Sequence, residues 1–400
     1  MTNEMADSTT KSPRLVSIDA FRGWVMFMML CSVLQMCSVA EQRSENRVLA
    51  FLCFHLDHVA WRGMSLHDLI QPAFSFLVGT ALVFSIAGRR RRQQSDRDLI
   101  LHAVWRSVVL VMLGVFLRSL SRDQTYWTFE DTLSQIGLGY LPLVLIAIAP
   151  PAATWIGIAV ILVGYWAAFA ITPLPPPTFD YAAVSVDPTW PHLAEGFAAH
   201  WNKNSNLAWM FDQWFLNLFP RSEPFVANGG GYATLSFIPT LATMLLGVVA
   251  GRWLQITGEP RRTLMRFAIA TAVGLGVGYA LDATGICPNV KRIWTPSWVL
   301  VSGGWCFLVL GSLHAVCDVA GYRLWTFPLV IFGVNSIAAY VMEWLVPGPV
   351  GEIARTHLGA AWASLPAGEA YASLINGTLV ITIIWLILYW MHWRRIYIKI

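Results

Sequence analysis

The chain has 400 residues, 56% of them hydrophobic and 12% charged, with a mean hydropathy of +0.55. An ordinary soluble domain carries about 25% charged residues, so that class is excluded. The 27 basic and 23 acidic residues leave a net charge of +4, too nearly balanced for the concentrated basic face that a nucleic-acid partner requires.

Residues 1–13 are polar and read as a flexible cytoplasmic tail, with 14–400 a single transmembrane domain. A membrane-spanning helix needs ~20 mainly apolar residues. Ten stretches qualify, near 18–40, 67–88, 99–120, 131–149, 152–171, 235–255, 263–282, 294–318, 326–346 and 373–393. The expected fold is therefore all-α, a polytopic integral membrane helix bundle. Ser38, Val39 and Ala40 resemble a leader cleavage site, but Arg22 and the long polar approach weigh against cleavage.

An even span count with the N-terminus inside collects Lys11, Arg14, Arg22, Arg89 to Arg92, Arg97, Arg106, Arg252, Arg261, Arg262, Arg266, Arg323, Arg394, Arg395 and Lys399 on one face. The other face keeps fewer cations, including Arg62, Arg118, Lys203, Lys291 and Arg292. Basic residues accumulate on the cytoplasmic side, so both termini are expected inside, in a multi-pass protein of the cell (inner) membrane surrounded by its lipids. Two extracytoplasmic segments, 41–66 and 172–234, are then too long for simple turns, and long ordered loops tend to carry function. The second holds Trp190, His192, His200, Trp201, Asn202, Asn204, Asn206, Trp209, Asp212 and Trp214. Indoles beside amides suit a sugar-facing surface, although composition alone favours a tryptophan belt at the bilayer interface. Cys37 and Cys53 both fall near the outer side, where an oxidising compartment would allow them to pair.

Ionisable residues at membrane depth are costly and point to function. The densest group is His55, Asp57, His58, His67 and Asp68 at the outer mouth of the second span. A neutral imidazole there could take a proton from an incoming nucleophile, and Asp68 could orient that imidazole or bind a polar substrate. Polar residues satisfied by interfacial water are the plainer reading. A zinc site on His55, Asp57 and His58 fits no standard ligand spacing, so no metal is expected. A second group, Arg14, Asp19 and Arg22, lies at the inner end of the first span. Asp19 and Arg22 are three apart and share a helical face, as a local ion pair would. With Arg106 they could instead form a cytoplasmic anion site, since guanidinium groups hold phosphates bidentately.

These segments also carry a family pattern. Ser17-Ile-Asp-Ala-Phe-Arg-Gly23 is followed by His58, Trp61, Gly63, Ser65, Asp68, Pro72, Phe74, Phe76 and Gly79. Later come Trp105-Arg106-Ser107, Ser236-Phe-Ile-Pro239, Lys291 with Trp294 and Ser297, and Gly333 with Asn335 and Ser336. Together they resemble the heparan-alpha-glucosaminide N-acetyltransferase family over most of the chain. The resemblance implies an acetyltransferase that takes acetyl-CoA from the cytoplasmic side and acetylates a small-molecule amino sugar on the other, as a homodimer. It makes His58 the active-site residue with Asp68 beside it. Trp61, Ser65, Gln35, Gln135, Lys291 and Asn335 then become expected acceptor contacts, and Arg14, Asp19, Arg22 and Arg106 expected donor contacts. Two positions depart from the pattern: an active-site asparagine of the family aligns to Val33, leaving Gln35 as the nearest amide, and an arginine aligns to Gln135. The other functional class is an amino-sugar transporter using His58 and Asp68 as a proton relay; against it, the sequence carries no clear internal repeat.

Overall fold

The computed structural model describes residues 15–43, 45–256, 258–363 and 368–398, without the side chains of 360–363 and 368–370. Arg14 and Lys399, like the expected tail, lie outside the described residues. Among the described residues the chain is helical, with no strand beyond one isolated bridge between Arg62 and Val290.

The chain opens with α1 (Val16–Leu30), then two short helices, α2 (Met36–Glu41) and α3 (Arg47–Leu56). A disulfide between Cys37 and Cys53 joins α2 to α3. Next are α4 (Ile70–Arg91), α5 (Asp96–Ser119), α6 (Thr132–Ile148) and α7 (Pro151–Ile171). The long loop contains α8 (Leu207–Phe215) and leads into α9 (Phe237–Leu254), α10 (Pro260–Ala283) and α11 (Pro296–Leu313). The last four are α12 (Phe327–Val334), α13 (Ser336–Leu345), α14 (Pro347–Ala363) and α15 (Gly368–Trp393). Local sequence starts several of them. Ser95 and Asp98 close a reciprocal capping box on α5, Asp131 caps α6, and Thr295 with Pro296 starts α11.

All ten apolar stretches overlap helices, and among the described residues eight helices are long and apolar enough to cross a membrane; the first of them ends at Leu34 rather than near 40, because Gln35 turns left-handed at φ 48°. The other two differ for visible reasons. Helix α6 has 17 residues with Pro142 inside it. The 326–346 stretch is broken at Asn335, where Leu324–Val334 and Ser336–Leu345 meet at 68°.

Lipid is as apolar as a leucine side chain, so helices in a bilayer associate by close packing rather than by hydrophobic exclusion. Helix α9 sits at the centre of the bundle, with 83% of its apolar window buried, whereas α10 buries 17% and lies at the rim. The central contact, α4 against α9, depends on glycine. A Cβ on Gly79 would collide with the Met244 carbonyl, and one on Gly247 with the Phe76 carbonyl. Thr80 Oγ bonds the Gly247 carbonyl at 3.1 Å across the same seam. Gly276 on α10 has open space around it. Gly79→Val should therefore cost about 1–3 kcal/mol through overpacking and lower the unfolding midpoint in detergent, while Gly276→Val leaves that midpoint near wild type.

Candidate active site

The site at the end of the bundle expected to face outward, called here the outer end, is built by the 57–66 turn, which folds back over the start of α4. Gly63 takes φ 118°, which favours glycine. Arg62 is tied to Asp282 at 2.7 Å, and the Trp61 indole N–H donates to the Trp201 carbonyl at 3.2 Å. Those anchors bring His58 onto Asp68, which is 1% exposed. Asp68 Oδ1 meets His58 Nδ1 at 2.8 Å and Lys291 Nζ at 3.2 Å. Asp68 Oδ2 accepts from the backbone N–H of Val59 and Ser65 and from the Ser65 hydroxyl, at 3.3, 3.0 and 3.0 Å.

An ionised carboxylate only accepts hydrogen bonds, so the His58 proton belongs on Nδ1 and the lone pair on Nε2. Lys291 Nζ also lies 3.0 Å from His58 Nδ1, and its hydrogens serve Asp68, because a protonated Nδ1 cannot accept. Burial lowers the His58 pKa from its ordinary value; the Asp68 bond opposes this, and the Lys291 charge adds to the lowering. The side chain keeps 34% of its surface accessible. His58 is thus a neutral imidazole at neutral pH with one nitrogen fixed and the other available as a base. The His67 ring stands edge-on to it, with centroids 4.6 Å apart.

Two cavities flank this arrangement. The outer one, of 210 Å³, is lined by His58, His67, Lys291, Gln71 and a group of charged side chains, Arg118, Glu130, Asp131 and Glu343. The inner one, of 770 Å³, is lined by Arg22, Arg89, His102 and Arg106, with Leu77, Leu133 and Ile136 supplying apolar wall. Arg106 donates to the Tyr140 hydroxyl at 3.2 Å. The same three helices line both: Gln71 and Phe74 on α4, Thr132 and Ile136 on α6, Tyr340 and Ser336 on α13. Residues three or four apart on a helix are separated by about one 5.4 Å turn, so the cavities lie end to end through the bundle.

Several expected contacts sit elsewhere. Trp61 is 3% exposed and packs against Trp190, so it anchors the turn rather than presenting a face. Gln35 is exposed and lines neither cavity. Gln135 lies one bond behind the outer cavity: its Oε1 accepts from Gln71 at 3.2 Å and from Thr240 at 3.0 Å. Asn335 is fully buried at the α12–α13 break, where its amide bonds Ile396 and Ile398 of the terminal segment at 3.0 and 3.2 Å. This pins Tyr397 and Ile398 as a wall of the inner cavity, not the outer one. Asp19 pairs with Arg22 at 3.4 Å but does not line the inner cavity. Ser65 and Lys291 do join His58, through Asp68.

The amides of the long loop also face inward. Asn202 bonds Ala194 through both its groups at 2.9 Å, Asn204 bonds the Val184 and Asn228 carbonyls at 2.8 Å, and Asn206 caps α8. They are spent on the loop's own backbone, which removes them as a sugar-facing surface. Among the described residues no group of three His, Cys, Asp or Glu side chains is placed to hold a metal ion. Sequence reasoning missed His102, Arg118, Glu130 and Glu343. Glu343 had a usable signal, a carboxylate inside an apolar span.

The molecule is a polytopic helical membrane protein with a His–Asp–Lys cluster at one end of a two-cavity bundle. No protein-family model matches the chain. It is similar to human heparan-alpha-glucosaminide N-acetyltransferase, at 24% identity covering 97% of this chain and 60% of that protein. The mouse heparan-alpha-glucosaminide N-acetyltransferase is also 24% identical, over 87% of this chain and 57% of its own length. The chain is a distant relative of these proteins and spans about 60% of their length.

Because Lys291 lowers the His58 pKa, Lys291→Met should raise it. The pH dependence of diethylpyrocarbonate modification, taken as the difference from His58→Ala, checks this. The wild-type midpoint is expected below the ordinary histidine value of about 6.5, and the Lys291→Met midpoint above the wild-type one.

Proposed function

We propose that the chain is a transmembrane N-acetyltransferase that moves an acetyl group from cytoplasmic acetyl-CoA to the amine of an extracytoplasmic amino sugar of the glucosamine type. The observation that carries this reading is the pair of cavities on three shared helices, one rich in arginine and one holding His58, Asp68 and Lys291. The distant relatives, acetyltransferases by name, supply the reaction class. The excess of basic residues at the arginine-lined end supports its cytoplasmic placement.

The inner cavity's residues suit the donor. Arg22, Arg89 and Arg106 provide guanidinium groups for phosphates, and Leu77, Leu133 and Ile136 provide an apolar passage for the arm. When bound, acetyl-CoA supplies a thioester-activated acyl carbon. His58 Nε2 takes a proton from the incoming ammonium, which frees the nitrogen lone pair for attack; as the C–N bond forms the C–S bond breaks, the departing CoA thiolate takes one proton and the other leaves to solvent. Asp68 holds the ring's tautomer through Nδ1 and stabilises the imidazolium formed, and Lys291 balances the Asp68 charge so that the buried carboxylate stays ionised.

General-base catalysis contributes about 100-fold to 10,000-fold. His58→Ala should lose turnover by that factor in an assay of radiolabelled acetyl transfer to glucosamine, with binding of CoA retained. Arg106→Leu should instead raise the donor KM by about 10-fold, the cost of one charged hydrogen bond, without moving the acceptor KM. Wild-type turnover by His58→Ala contradicts the base assignment, and glucosamine uptake without acetylation would identify a transporter.

A further inference from the structure

We infer that the outer cavity selects a single small amine carrying no anionic substituent, and rejects sulfated or phosphorylated amino sugars and the ends of anionic polysaccharides. This rests on the acetyltransferase reading above for its reaction, and on the outer cavity's own residues for its specificity.

The charge balance is the first observation. Glu130, Asp131 and Glu343 face the cavity together with Arg118 and Lys291, and Lys291 is already matched by Asp68 at 3.2 Å. Three carboxyl groups therefore face one guanidinium, so the cavity wall is richer in hydrogen-bond acceptors than in cations, which favours an ammonium. Asp131 Oδ2 is buried without a hydrogen-bond partner, and an ammonium beside it would supply the missing donor. A sulfate or phosphate on the ligand would instead turn acceptor oxygens toward these acceptors.

The second observation points to a ligand independently. His67 lines the cavity at 9% exposure, and its Nδ1 is buried without a hydrogen-bond partner. Arg118, held over the Trp344 ring at 5.4 Å, has a buried Nε that is also unpartnered. Buried polar atoms are normally satisfied, and hydroxyls of a bound sugar would satisfy both. The volume of 210 Å³ is below the roughly 300–1,000 Å³ of pockets for larger ligands, and it suits one ring rather than a chain.

The test is binding, which does not depend on turnover. Glucosamine, glucose and glucosamine 6-sulfate are titrated by calorimetry into the purified full chain without donor. Glucosamine should bind at least about 10-fold tighter than either other sugar, one charged hydrogen bond's worth. Glu343→Gln and Glu130→Gln should each narrow that preference, and protein that still binds CoA identifies them as folded. Equal or tighter binding of the 6-sulfate, no binding of glucosamine, or a preference unchanged in both folded variants overturns the inference. Selective glucosamine binding without acetyl transfer would leave the inference standing and overturn the acetyltransferase reading.

Discussion

The outer half of this protein is organised around one buried carboxylate. An ionised group taken out of water is tolerated only when paired and hydrogen-bonded, and Asp68 recruits its partners from segments far apart in sequence. Val59, Ser65 and His58 come from the turn before α4, and Lys291 comes from the connection between α10 and α11. Arg292, the next residue, donates to the Val59 carbonyl at 3.2 Å and to the Gly230 carbonyl, which adds the long loop to the same junction. Satisfying Asp68 thus fixes the helix ends that frame the outer cavity, and the same bonds set the His58 tautomer.

The bundle beneath is held by different physics. Glycines at the α4–α9 seam let two backbones approach closely, which keeps α9 central and leaves α5, α7 and α10 to face lipid with residues such as Val104, Val160 and Ile269. The break at Asn335 turns α13 away from α12 and allows one side chain to hold the terminal segment against the inner cavity. Both bonds are made by the Asn335 side-chain amide, so the irregularity and the cavity wall share one residue.

The helices were legible in the sequence because a bilayer demands length and apolarity, and eight of the ten stretches carried both in one helix. His58 and Asp68 were legible because charges at membrane depth must earn their cost, and Lys291 came from a spaced family motif. What the sequence hid was direction. Composition cannot say whether Trp61 or Asn204 points to substrate or into its own loop, and both point inward. Nor does it reveal that Arg89, which the sequence counts only toward the basic face, also lines the inner cavity with His102. Asn335 carried a family motif but no sign that its partners would be Ile396 and Ile398.

Sidedness tests the account most directly. The protein is reconstituted in sealed vesicles with radiolabelled acetyl-CoA in one compartment and glucosamine in the other. Acetylated glucosamine accumulating in the compartment that never contained acetyl-CoA is the predicted result. Product formed only when both substrates share a compartment would contradict transfer through the bundle.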